Sequence, residues 1–442
     1  MALQDELWSP LQVPEIECHG VPPMASTGNR ISRRVEAVRE LDALKAEIRC
    51  KDGFSRFQLP PSSADFITLA RSIGGPIVAF SVSEIRSNAI LVTQTEIKAL
   101  QLPRLDYHTL QEKSSILSSG VMKGPKRTMP DRLNVLKGVL LWLWKAAVEP
   151  VLQELNLIHD ASKRHPEPLP RIWWISSGHM GMMPIYAAGD YASDPKIIAS
   201  NYVISSYTPT IKSLAYARRK TTGVQGRPRN DVLIVGNSLG TSRTPGKGVL
   251  TEVHPETKAI EHIVKGAIGA ACTVLHPPFK KTVLDSLSSC SIAHFSCHGV
   301  TDPGNPCNSH LLLPSPGVTE ADPLCIKELS NRNLDQSMLA YLSACHTANY
   351  TSKTLLDEAI HIASGFQLAG FPHVVGTLWE ANDRKARDVA TEFYKNLFGS
   401  LDSGRGFADG IVAEALHKAV ASLRKEFEDN PILWGPFIHL GA

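Results

Sequence analysis

The chain has 442 residues, of which 43% are hydrophobic and 20% charged, and its formal net charge is +3. This length allows one large α/β unit or two smaller ones, and the weak charge balance argues neither for nor against acidic partners. No apolar run approaches the roughly 18 to 20 residues that span a bilayer, and the N-terminus is acidic where a signal peptide is basic. We therefore expect neither a membrane span nor a membrane partner.

The eight cysteines are scattered and form no CxxC pair. Such spacing is typical of reduced thiols, which predicts a location in the cytoplasm or the nucleus. A run rich in Gly, Thr and Pro carries five basic residues without interleaved aromatic residues, and this pattern favours a solvated loop over a nucleic-acid surface. We therefore expect no nucleic-acid partner. The five residues are Arg218, Arg219, Lys220, Arg227 and Arg229.

The first part of the chain predicts a helix, two strands and a second, longer helix. Residues 1–30 hold several prolines without periodicity, so we expect them to be poorly ordered. From 31 to 48 the apolar residues recur at steps of three and four, which forms one stripe of an amphipathic helix. Strands are predicted at 76–82 and 89–93, and a helical stretch at 131–157.

A polar, proline-bearing segment at 159–170 predicts the main boundary of the chain. It separates an N-terminal helix and small α/β region, 31–158, from a core at 171–442. Strand, loop and helix alternate in the core, which predicts an α/β fold with a mostly parallel sheet and helices on both faces. The predicted core strands are 172–175, 231–235, 272–275, 291–297, 311–313, 339–344, 374–379 and 437–440. The predicted core helices are 255–265, 280–286, 355–368, 383–397 and 407–427.

Two of these apolar runs end in reactive residues. His298 follows the run at 291–297, and Cys345 follows the run at 339–344. Chemistry in open α/β sheets gathers at the carboxyl ends of buried strands, so both side chains are expected to face one cleft. A thiol becomes a good nucleophile when a neighbouring base supports its thiolate, and the backbone N–H groups of Gly299 and Cys345 are natural donors to an oxyanion. The pattern predicts a cysteine peptidase.

Other interpretations of these residues stay open. A buried histidine and an inert buried cysteine are common in protein cores. A zinc site is disfavoured because Cys297 and His298 are adjacent and point to opposite faces of a strand, and we expect no metal and no cofactor. The segment 236–240 (GNSLG) matches the G-x-S-x-G pattern of serine hydrolases, but a turn-rich loop follows where a helix is required. The other potential zinc ligands in this region are Cys307, His310, Cys325, Cys345 and His346.

The sequence resembles the CHAT domain, a module of the caspase-like cysteine peptidase clan that is often found beside tetratricopeptide repeats. The resemblance runs from about residue 74 to 440 and is closest to fungal members. Its most specific blocks are 294–312 (HFSCHGVTDPGNPCNSHLL), 339–348 (LAYLSACHTA) and 359–382 (AIHIASGFQLAGFPHVVGTLWEAN). The supporting blocks are 75–88, 173–184, 206–214 and 231–237.

The resemblance implies a caspase-like fold and an endopeptidase with a His-Cys dyad that acts through a thioester. The catalytic His of the family falls on His298 and its nucleophile on Cys345. The implied partners are a protein or peptide substrate and a regulator, which is a tetratricopeptide array or another protein; no such array is evident in the sequence. Metacaspases carry an acidic residue two positions before the nucleophile, where this chain has Ser343, so a preference for Arg or Lys does not carry over.

Four further residues are candidates for the substrate pocket by analogy: Asp302, Asn305, Trp379 and Asp383. Loop structure or helix capping is the alternative for each of them, and Asp383 would make an acceptable cap. The rival function is a non-catalytic CHAT interaction module in signalling, and another thiol acyl-transfer enzyme, such as a deubiquitinase-like hydrolase, also stays open.

Overall fold

The computed structural model describes residues 25–118, 128–158, 169–223, 230–238, 249–300, 302, 308–317, 321–330, 332, 334–343 and 362–442. The described chain forms two compact units, which divide between Asp65 and Phe66. Among the helices in these ranges, none is long and apolar enough to cross a membrane.

The first unit contains the predicted amphipathic helix, α1, which begins at Ala25 and ends at Arg49. Of the segment that we expected to be poorly ordered, residues 25–30 belong to this helix and residues 1–24 lie outside the described ranges. Val35 and Val38 of the apolar stripe are each 45% exposed.

The second unit is built on one large sheet. Eleven of its strands pair in the order β3-β2-β1-β4-β7-β16-β15-β14-β10-β8-β9, while β11–β13 form a small separate sheet and β5 pairs with β6. In chain order the strands are β1 Ile77–Val82, β2 Ser87–Val92, β3 Ile97–Gln101, β4 Arg171–Ile175, β5 Gly189–Asp190, β6 Ile197–Ile198, β7 Ile204–Tyr207, β8 Val232–Gly236, β9 Cys272–Leu275, β10 Ile292–Ser296, β11 Gly299–Val300, β12 His310–Pro314, β13 Ala321–Cys325, β14 Leu339–Leu342, β15 His373–Thr377 and β16 Phe437–Gly441.

The α-helices after α1 are α2 Ser63–Ile73, α3 Tyr107–Ser118, α4 Met129–Leu143, α5 Glu149–Glu154, α6 Ile211–Gly223, α7 Val253–Gly266, α8 Lys280–Leu287, α9 Ile326–Ser330, α10 Ile362–Leu368, α11 Asp383–Asp402, α12 Ile411–Glu426 and α13 Pro431–Trp434. A single turn of π-helix, Trp144–Val148, joins α4 to α5, so the predicted stretch 131–157 is one nearly continuous helical segment. Of the predicted helix 355–368, residues 355–361 lie outside the described part of the chain.

The expected mostly parallel α/β sheet is confirmed. Antiparallel pairing in the large sheet occurs between β1 and β2, between β2 and β3, and between β15 and β16. The sheet also continues across the boundary predicted at 159–170, because β1 pairs in parallel with β4, with Val78 opposite Trp174.

Helices cover both faces of the sheet at β10. Side chains alternate between the two faces of a strand. Phe295 contacts the ring of Phe366 on α10, with 5.3 Å between ring centroids. Its neighbour His294 points the other way and lies against Tyr394 of α11, with 5.6 Å between centroids. Strand β10 is buried on both faces, including its two polar residues, His294 and Ser296.

The interpretation of residues 218–229 as a solvated loop is wrong for the residues that the structure describes. Arg218 and Lys220 lie on α6, and the Lys220 ammonium donates to the carbonyls of Leu334 and Gly370, each at 2.6 Å. Burial lowers the pKa of Lys220 to about 8. These carbonyl acceptors are distant in sequence, so the composition of the segment could not indicate them; Arg227 and Arg229 lie outside the described ranges.

Two histidines form a buried polar pair between β15 and β16. The Nδ1 atom of His373 lies 3.1 Å from Nε2 of His439, whose Nδ1 lies 2.9 Å from the hydroxyl of Ser206 on β7. Burial, with Arg171 and Arg218 nearby, lowers the pKa of His373 to about 3, and burial together with His373 and Arg171 lowers the pKa of His439 well below its ordinary value. Both rings are therefore neutral near neutral pH.

We expect this pair to make the fold acid-sensitive. Between pH 6.5 and 3 these histidines bind protons in the unfolded chain but stay neutral in the folded chain. The free energy of unfolding therefore falls as the pH falls, by up to about 1.4 kcal/mol per pH unit for each histidine. In His373→Gln the amide keeps a hydrogen-bonding group beside His439 but does not titrate. Between pH 6.5 and 5 its free energy of unfolding should therefore fall by about 2 kcal/mol less than that of the wild type.

Urea unfolding at the two pH values measures this difference. His254 is exposed on α7, so His254→Gln serves as the control and should show the wild-type pH dependence. The same slope in His373→Gln and in the wild type would contradict the prediction.

Candidate active site

The centre of the candidate site is the pairing of β10 with β14. The two strands are parallel, and their last paired residues are Phe295 and Leu342. The N–H of Ser343 donates to the carbonyl of Phe295 at 2.8 Å, which carries the pairing one residue further. Both strands are fully buried, so their carboxyl ends lie side by side at one edge of the sheet.

The structure places His298 two residues beyond the end of β10. Its carbonyl accepts a hydrogen bond from the N–H of Leu312 on β12 at 2.9 Å. The next residue, Gly299, begins β11 and lies opposite Leu311 of β12. The small sheet therefore fixes the backbone on the C-terminal side of His298, whose side chain is buried and only 3% exposed.

Asn237 holds the same backbone from a second direction. It follows β8, and its N–H donates to the carbonyl of Ser296 at 2.9 Å. Its side-chain amide donates to the carbonyl of Leu312, also at 2.9 Å. Asn237 has no predicted role beyond its place in the block 231–237 of the resemblance, although it is a polar residue directly after an apolar strand.

The other candidate residues have separate positions. Cys345 and Asn305 lie outside the described residues. The N–H of Asp302 donates to the hydroxyl of Ser309 at 3.1 Å, and its carboxylate lies 3.4 Å from the amide of Asn308. These bonds join the two ends of the loop between β11 and β12.

Trp379 and Asp383 have intramolecular partners. Trp379 is buried, and its indole N–H donates to the carbonyl of Ile432 at 3.2 Å. Asp383 is the first residue of α11, and its carboxylate accepts from the N–H of Glu252 at 3.0 Å. The cap of α11 is Asn382, whose side chain accepts from the N–H of Lys385 at 3.2 Å. Asp383 thus links the start of α11 to the start of α7.

The described residues include several side chains that can bind metals or act as thiol nucleophiles. Within the described ranges, no group of three His, Cys, Asp or Glu side chains is arranged to hold a metal ion. Burial raises the pKa of the Cys272 thiol to about 11 and that of Cys290 to about 12, and it also raises the pKa of Cys325. These three thiols are therefore poor nucleophiles.

We expect Asn237 to stabilise the site measurably. In Asn237→Ala the buried carbonyl of Leu312 loses its side-chain donor, which should cost about 1–3 kcal/mol of the free energy of unfolding. Chemical denaturation measures this loss. Asn308→Ala removes an exposed amide from the same region and should cost less than about 0.5 kcal/mol. Equal losses in the two variants would contradict the role assigned to Asn237.

Comparison with solved structures shows the caspase-like fold. Two structures of the Saccharomyces cerevisiae separase–securin complex superpose with TM-scores of 0.55 and 0.51, each at 11% identity. They cover 90% and 91% of this chain but only 32% and 33% of the separase chain, so the chain spans about a third of the length of these relatives. The Arg-specific cysteine proteinase gingipain R aligns with a TM-score of 0.43 at 9% identity, over 75% of this chain and 74% of its own, which is too low to indicate a shared fold by itself.

Sequence comparison identifies the family. No curated protein matches the chain significantly. The family model described as the CHAT domain matches residues 137–442, which is well over half of the chain. This match contains the strands β10 and β14 together with both residues of the expected dyad. The chain therefore belongs to the CHAT domain family.

Proposed function

We propose that this protein is a cysteine endopeptidase that hydrolyses peptide bonds with His298 and Cys345. The register of β10 and β14 carries the proposal. Phe295 lies opposite Leu342, and His298 and Cys345 each come three residues after this pair. A base and a thiol that follow two neighbouring parallel strands at the same sheet edge support the proposal that they act as a dyad.

The chemistry follows from these residue types. The Cys345 thiolate attacks the peptide carbonyl, and the carbonyl oxygen takes the negative charge, which the N–H groups of Gly299 and Cys345 stabilise. His298 gives a proton to the leaving amine, so the C–N bond breaks and a thioester remains. Water then hydrolyses the thioester, with His298 as the base, and releases the acid product. The dyad residues supply every proton transfer in this scheme.

We extend the proposal to the substrate pocket, with Asp302, Asn305, Trp379 and Asp383 as its candidate residues. Asp302 is held at the base of the loop that follows His298, which supports a direct role. The internal contacts of Trp379 and Asp383 support an indirect role, in which they hold the ends of β15, α7 and α11 in place.

Regulation by a partner is part of the proposal. A side chain that is only 3% exposed needs a movement of its surroundings before a peptide reaches it. The separase neighbour was solved in complex with securin, which supports the expectation of a regulatory protein here.

Cys50, Cys272, Cys290 and Cys325 are not in disulfide bonds, which supports a reducing compartment such as the cytoplasm. The burial of His298 also favours the second candidate function, a non-catalytic CHAT interaction module.

Covalent labelling separates the two functions. We expect a library of peptidyl fluoromethyl ketones to form a single adduct at Cys345. His298→Ala should slow this labelling by about 10² or more, because it removes the general base. The experiment uses a Cys50→Ser background, since Cys50 is exposed and would react without specificity. Intact mass gives the adduct count, and peptide mapping gives its position.

His310 provides the matched control, because it is a neighbouring histidine on β12 whose Nδ1 lies 2.7 Å from the carbonyl of Asn308. His310→Gln should label like the parent. Adducts spread over several cysteines, or labelling that is unchanged in His298→Ala, would overturn the peptidase and leave the interaction module.

A further inference from the structure

A buried polar cluster lies on β10 just before His298. The hydroxyl of Ser296 donates to one carboxylate oxygen of Glu256 on α7 at 2.7 Å. The Nε2 atom of His294 lies 3.3 Å from the other oxygen. Glu256 is only 2% exposed, and His294 and Ser296 are equally buried. The carboxylate thus contacts two alternate residues of the strand that leads to His298.

Two tyrosines close the cluster from the neighbouring elements. The ring of Tyr341 on β14 stacks on His294 with 5.1 Å between centroids, and the hydroxyl of Tyr394 on α11 lies 3.4 Å from Nδ1 of His294. Burial, with Glu256 as a further cause, raises the pKa of Tyr341 and of Tyr394 well above the ordinary value. The cluster therefore joins β10 and β14 to the helices α7 and α11.

Stability alone does not account for Glu256. A carboxylate is costly to bury even when it has polar partners, and well-packed apolar residues in its place often make a protein more stable. The cost arises at the strand that carries the expected base, with Ser296 two residues before His298. The start of the same helix is also fixed, because the N–H of Glu252 donates to Asp383 at 3.0 Å and Arg387 lies 2.6 Å from the Glu252 carboxylate.

We propose that Glu256 is a positioning residue, which anchors the carboxyl end of β10 through Ser296 and His294 and so sets the position of His298 relative to Cys345. This inference rests on the proposed function for its catalytic consequence. Asn237 and the small sheet hold the backbone around His298, and Glu256 holds the side chains of β10 against α7.

The test is the rate at which iodoacetamide alkylates Cys345 in the Cys50→Ser background. This small reagent needs no substrate pocket, so its rate reports the thiolate and its accessibility without peptide binding. Glu256→Ala should lower the rate about tenfold, because a misplaced base loses much of its effect, whereas Glu256→Gln should stay within about threefold of the parent. The amide oxygen of Gln still accepts from Ser296, so this variant tests rescue by conservation of the hydrogen bond.

Two further variants keep the test decisive. Ser296→Ala removes the same hydrogen bond from the strand side with little change in volume, and it gives the answer if Glu256→Ala does not fold. Glu261→Gln is the control, because Glu261 is on the same helix and pairs with Lys265 at 2.6 Å away from the cluster. A merely structural Glu256 would lower the melting temperature and leave the alkylation rate below that temperature unchanged.

A second readout separates this inference from the proposed function. The ring signal of His298 in a ¹³C-histidine NMR spectrum, assigned with His298→Gln, reports the position of the ring without any reaction. If the parent and His298→Ala are alkylated at equal rates, the catalytic proposal fails, and a shifted or split His298 signal in Glu256→Ala still supports positioning. If both the rate and the signal in Glu256→Ala match those in Glu261→Gln, the positioning role is overturned.

Discussion

The parallel pairing of β10 with β14 is the constraint on which the rest of the structure depends. Both strands are interior strands of the eleven-stranded sheet, with β8 on one side and β15 on the other. Central strands have partners on both edges and helices on both faces, so their backbone groups are satisfied and their side chains are buried. A slip of one residue would turn every side chain of β10 to the opposite face. The burial of Phe295 against α10 and of His294 against α11 therefore fixes the register of β10 against β14.

The polar residues at the carboxyl edge of the sheet hold the segments next to His298 in place. Loops at such an edge have no ladder of their own, and their buried backbone groups need partners from side chains. Asn237 supplies partners to Ser296 and Leu312, and Asp383 supplies one to Glu252. The segments on either side of His298 are thus anchored to β8 and β12.

The sequence predicted the parts of the fold whose signal is local. The apolar runs predicted β10 and β14, and a polar residue after the first run made His298 a candidate site residue. Strand β7 was missed because Ser205 and Ser206 interrupt its apolar pattern, and β3 was missed because an exposed edge strand carries no buried face. Contacts between distant segments had no local signal at all. Glu256 could be assigned to a helix, but nothing in its neighbourhood in the sequence indicates that it meets Ser296, forty residues later.

The buried polar contacts of this sheet fix the register of its strands. Strand β16 runs antiparallel to β15 and parallel to β7, so the hydrogen-bonding pattern differs between its two edges. His439 contacts His373 on one neighbour and Ser206 on the other. A one-residue slip would move His439 to the opposite face and leave all three polar groups buried without each other, which costs far more than the bonds add to stability. The contact of Glu256 with His294 and Ser296 applies the same logic to β10, where an error in register would displace His298.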